Sequence, residues 1–189
     1  MPDNRINDRE PVTGLPNLVA TEVVNADISA VQADTIVVNL FRSVTAPEGA
    51  TGAINELLGG AITDLIAGGD LAGKLGEVAV LYTGGKLPAR RVLVAGLGDQ
   101  DKFDMEAARR ASANAALKAR ELGAKHVATI VHGAGIGGFP AAEAAQATLE
   151  GALLASYAFG GWRQKAAEGK ALERITLVEL SEGKLADVQ

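Results

Sequence analysis

HVATIVHGAGIGGFPAAEAAQATLEGALLASY, residues 126–157, passes from an apolar run through a cluster of glycines into an alanine-rich segment that opens on Pro140. The run His126–Val131 reads as a strand, and Pro140–Tyr157 as a helix with proline at a tolerated first position. Gly133, Gly135 and Gly138 fit G-x-G-x-x-G, a spacing that lets backbone N–H groups approach an anion while the helix N-terminus adds partial positive charge. A dinucleotide fingerprint also needs an acidic residue at the end of the next strand, about 20 residues on. Glu150 falls inside the helix instead, so the motif is incomplete. A tight turn that needs glycine for its backbone angles is the plainer reading.

A second turn of the same kind is TAPEGATGAI, residues 45–54. It follows the apolar strand Thr35–Leu40 and leads into one amphipathic helix expected over Thr51–Ala67. There Ile54, Leu57, Leu58, Ile62, Leu65 and Ile66 recur at helical steps, and Gly68-Gly69 makes the stop. Gly49 and Gly52 can take unusual angles. Two strand-to-helix turns at one sheet edge form a single crevice, the usual place for a phosphate-containing ligand, although Glu48 sets a carboxylate where the anion would arrive. GGDLAGK, residues 68–74, spells most of a P-loop but lies between a helix and a strand and is followed by Leu75 rather than Ser or Thr. It reads as a loop with an exposed lysine.

Further strands are expected at Leu18–Asn25, Glu77–Tyr82, Arg91–Ala95 and Ile175–Leu180, with a helix over Asp104–Leu122 capped by Asp104 and closed at Gly123. Strands that alternate with helices imply a largely parallel sheet covered on both faces. The chain has 189 residues, 48% hydrophobic and 22% charged, which suits one domain over 18–189 behind a flexible, proline-punctuated lead-in over 1–17. A net charge of -5 opposes general binding to nucleic acid or to anionic membranes. Cysteine is absent, which excludes disulfides and thiolate chemistry, and neither a signal peptide nor a membrane span is legible, so a cytoplasmic protein is expected. His126 and His132 flank one strand, too far apart to share an ion, and read as structural or surface histidines. Asp27 and Asp34 sit at strand ends, where capping is common. GWRQKAAEGKALER, residues 161–174, holds the one tryptophan and reads as a solvated loop or a docking surface.

NADIS (25–29), DTIVVN (34–39), EGATGAI (48–54), GKLGEVAVLY (73–82), RRVLVAGLG (90–98), KFD (102–104) and the segment 134–159 together resemble the amino-terminal domain of cytosol leucyl aminopeptidases. The resemblance implies a macro-domain-like three-layer α/β/α fold, with a mixed, mostly parallel sheet of about six strands and helices on both faces. It further implies a non-catalytic domain that acts through protein contacts or self-association, in the assembly or regulation of an aminopeptidase. The two divalent metals, zinc or manganese, would belong to a separate catalytic half. Neither an NTDAEGR-like nor a TFDTGG-like segment occurs in these residues, so no peptidase activity and no cofactor of its own are expected of this chain. The wider likeness to macro domains implies a rival role, binding of ADP-ribose or a similar nucleotide. Asp27 would then read adenine, and Gly49, Ala50 and Gly52, with Gly135, Ile136, Gly137, Gly138 and Phe139, would hold phosphates. Val38 and Phe41 stand where ADP-ribose binders carry asparagines, and Pro47-Glu48 replaces two glycines of the first loop.

Overall fold

The computed structural model describes residues 19–134, 138–156 and 171–188. Among them are the strands β1 (Ala20–Asn25), β2 (Thr35–Phe41), β3 (Val78–Tyr82), β4 (Arg91–Gly98), β5 (His126–Ile130) and β6 (Arg174–Glu179). The helices are α1 (Gly49–Leu57), α2 (Ala61–Gly68), α3 (Met105–Glu121), α4 (Ala141–Ser156) and α5 (Glu182–Val188). The six strands form one sheet in the order β1-β6-β5-β2-β4-β3. Every pairing is parallel except β3 with β4, which form a hairpin at the sheet's edge.

Side-chain alternation along β2 builds two cores at once. Ile36, Val38 and Leu40 pack with Ile54, Leu58 and Ile62 from the α1–α2 side. Val37 and Phe41 pack on the other face with Leu93, Leu97 and the buried alanines of α3. All eight residues of β4 are buried as well. This is the three-layer α/β fold, with helices on both faces of a mostly parallel sheet.

Small residues allow the α3 and α4 layer to pack closely. Ala108, Ala111, Ala115, Ala116 and Ala119 of α3 are buried, and Ser112 Oγ donates to the Thr148 carbonyl at 2.6 Å. A Cβ at Gly151 would run into the Arg109 carbonyl oxygen, so only glycine fits there. Glycine also lengthens β4 past the expected end at Ala95. The turn at 73–74 lies so close to the strand that a Cβ at Gly96 would overlap the Lys74 carbonyl, and Gly98 N donates to Gly73 O at 2.9 Å.

The single helix expected over Thr51–Ala67 is in fact two. Gly59 and Gly60 take φ of 72° and 90°, and the Asn55 side-chain oxygen accepts from Ile62 N and Thr63 N at 2.9 and 3.0 Å, starting α2 anew. Leu58 and Ile62 still face one core across the break, so the apolar period runs on and hides it. The α5 helix was not expected at all. The lead-in over 1–17 and most of 161–174 lie outside the described residues.

Gly151→Ala is expected to cost about 1–3 kcal/mol of stability through overpacking of the α3–α4 seam, measured by urea unfolding. Leu154→Ala on the same helix, where the side chain is 74% exposed, should stay within about 0.5 kcal/mol. Equal costs at the two positions would contradict the close approach.

Candidate functional site

The carboxyl end of the parallel sheet carries a crevice of about 390 Å³. Its floor is apolar, formed by Ile28, Phe41, Leu97, Ile130 and Val178, and its rim includes Asp27, Glu48 and Glu179. Asn39, the polar residue near the end of β2, also lines it. Its carbonyl accepts from Thr51 Oγ1 at 2.7 Å, which fastens the first turn of α1 to the strand.

The Asn39 side chain reaches across the sheet's end to His132. Nδ2 of Asn39 lies 3.2 Å from Nδ1 of His132, and with the amide donating, the neutral ring carries its proton on Nε2. His132 is fully buried, its Nε2 has no partner, and its backbone N–H donates to Thr148 Oγ1 at 3.0 Å. Burial pushes its pKa down to about 4, so the ring is uncharged at neutral pH. A chain of contacts from Ser112 through Thr148 and His132 to Asn39 thereby ties both helices of one layer to the floor of the crevice.

Three phenylalanines brace the same edge. Phe103 meets Phe41 edge-on at 5.1 Å between ring centroids and Phe139 at 5.8 Å. Gly133, at φ 89°, leaves room for Phe103, whose ring would collide with a Cβ there. Phe139 therefore packs into the core beside Phe103 rather than lining the crevice, and Gly138 stands outside the lining too. Gly135, Ile136 and Gly137 lie outside the described residues.

In the first turn the two glycines differ. Gly49 has φ 58°, whereas Gly52 keeps a negative φ and is small for another reason. A Cβ on Gly52 would come within 2.7 Å of the Pro47 carbonyl oxygen. Gly49 and Ala50 line the crevice, as does Asp27, while Gly52 stands behind it. Asp27 spends one carboxylate oxygen on the N–H of Ser29 at 2.8 Å, the capping role open to it from its place at a strand end. Asp34 accepts from the N–H groups of Lys125 and His126 at 2.7 and 2.9 Å, and those bonds hold its pKa below the ordinary value despite the opposing effect of burial. Glu150, in α4, pairs with Arg109 at 2.7 Å. His126 bonds Thr176 Oγ1 at 2.7 Å, at the opposite end of β5 from His132. Among the described residues no group of three or more His, Asp or Glu is placed to hold a metal ion.

Sequence reasoning passed over Asn39 and read His132 as a structural or surface histidine, of which the buried, structural role is the one found. The available signal was the interruption of TIVVNLF by one amide, and a histidine directly after a buried strand.

The family model for the cytosol aminopeptidase family, N-terminal domain, matches residues 37–166. The chain belongs to the cytosol aminopeptidase family. A probable cytosol aminopeptidase of Geotalea uraniireducens is 34% identical over 132 residues, covering 70% of this chain but 26% of that protein. The chain thus spans about a quarter of that relative's length. A mutant of tomato leucine aminopeptidase superposes with a TM-score of 0.71 at 16% identity, over 93% of this chain and 36% of that one. The Trypanosoma brucei macrodomain, solved in complex with ADP, gives 0.71 at 18% identity, over 89% and 67%. At these identities the two structures show a shared fold.

The buried His132 makes stability depend on pH. Its folded pKa of about 4 lies below the unfolded value of 6.5, so the unfolded chain takes up the proton first. Its contribution is complete above pH 6.5 and is lost as pH falls toward 4, up to about 3 kcal/mol for a shift of this size. Urea unfolding of His132→Gln against the parent at several pH values should show a shallower acid loss in the variant. Parallel curves would place the titration elsewhere.

Proposed function

We propose that this chain is the non-catalytic accessory domain of a cytosol aminopeptidase and acts through protein contacts, organising the enzyme's assembly or modulating access to its catalytic half. The observation that carries the reading is the match of residues 37–166 to the N-terminal domain of the family. Two further features support it. The described residues offer no cluster of metal ligands, and at the crevice Asn39 and Thr51 bond within the fold rather than toward a reacting atom. A cytoplasmic location accords with this reading, and no described helix is long and apolar enough to cross a membrane.

A second reading, binding of ADP-ribose or another nucleotide, draws on the position and volume of the crevice and on the fold shared with a macrodomain solved with ADP. Pro47 and Glu48 weaken it. Pro47 has no N–H to offer a phosphate, and Glu48, exposed at the start of α1 with no capping bond, brings negative charge to the helix N-terminus.

Light scattering of the purified chain, alone and mixed with the catalytic half of a cytosol aminopeptidase, tests the leading reading. A defined oligomer or a stable heterocomplex is expected, and a monomer inert toward the catalytic half would refute it. Incubated with manganese or zinc and leucine amide, the chain alone should give no turnover above buffer. Steady hydrolysis lost on chelation would overturn the assignment as non-catalytic.

A further inference from the structure

The charge of the crevice selects its ligand. Asp27, Glu48 and Glu179 line it, and no lysine, arginine or histidine does so among the described residues. His132, directly behind the wall formed by Val131 and Gly133, is buried and neutral and adds no compensating charge. The carboxylates are not consumed internally either. Asp27 and Glu179 each use one oxygen on a backbone N–H, at 2.8 Å to Ser29 and 2.8 Å to Ser181, and a carboxylate accepts more than one bond. Glu48 makes no capping bond.

An anion entering here meets repulsion, and a bare metal ion finds no group of three ligands among the described residues. The floor of Ile28, Phe41, Leu97 and Val178 calls instead for an apolar body. Apolar floor and anionic rim are together complementary to one kind of molecule. We propose that the crevice binds an organic primary amine, with its apolar body against the floor at Phe41 and its ammonium toward the rim carboxylates. The assignment rests on the crevice being a ligand site, the second of the two readings above, and replaces the anionic ligand of that reading with a cationic one. Amines carried on an alkyl arm from an aromatic ring suit it well, because an edge-braced Phe41 offers a fixed surface for ring contact.

Calorimetric titration of the full chain with tyramine, with its uncharged analogue 4-ethylphenol and with ADP-ribose tests the proposal. Tyramine should give saturable heat that weakens as salt is raised, 4-ethylphenol should bind more weakly, and ADP-ribose should give none. The double variant Glu48→Gln with Glu179→Gln should weaken tyramine by about tenfold, as expected for loss of two partly exposed charge contacts. Glutamine keeps an acceptor oxygen for the Ser181 N–H, so an unchanged melting temperature would show that the fold is intact. Equal affinity for tyramine and 4-ethylphenol, or tyramine binding that ignores the double variant, would overturn the ammonium assignment. ADP-ribose binding more tightly than tyramine would overturn it in favour of the nucleotide reading. No heat from any probe would remove the crevice as a ligand site and leave the assembly reading standing.

Discussion

Burial of β2 on both faces is the constraint on which the rest of the molecule depends. A central parallel strand must present apolar side chains to both helix layers, and Ile36, Val37 and Val38 do so at 2% exposure or less. Polar side chains are thereby displaced to the strand's carboxyl end, where Asn39 reaches the crevice. Because β5 and β6 run parallel to β2, their ends arrive at the same edge, and the turns that follow them enclose one crevice. The place of the site is thus a consequence of strand direction and precedes any choice of ligand.

The layer architecture was legible because it rests on patterns of many residues. The apolar runs at 35–40 and 91–95 and the alanine-rich stretches of α3 and α4 each repeat their signal several times. Features that rest on one residue were harder to see. The break between α1 and α2 is made by Gly59, Gly60 and the side chain of Asn55, while Leu58 and Ile62 keep the period that hides it. Gly52 looked like a residue of unusual backbone angle, yet its smallness serves the approach of Pro47, a fact of packing that no spacing encodes. The Asn39–His132 contact joins residues 93 apart in sequence, so neither partner announces the other.

The same distinction separates family from function. The matched segment is shared with aminopeptidase N-terminal domains, and the sheet and its layers with macrodomains as well. The rim of the crevice is under no such demand. Pro47-Glu48 leaves α1 packed through Ile54 and Thr51 while setting negative charge at the helix start. The fold can therefore keep its cavity while the rim sets the sign of charge a ligand meets there.

His132 shows how the interior enforces that sign. A charged imidazolium behind the wall would offset the rim carboxylates, but full burial without a partner for Nε2 makes the charged form costly. Asn39 stabilises the neutral ring by donating to Nδ1, and Thr148 fixes the backbone at the same residue. Across the alanine seam between α3 and α4, Ser112 donates to the Thr148 carbonyl and so ties Thr148 to α3. Close packing in one helix layer, far from the rim, is what holds the wall of the crevice uncharged.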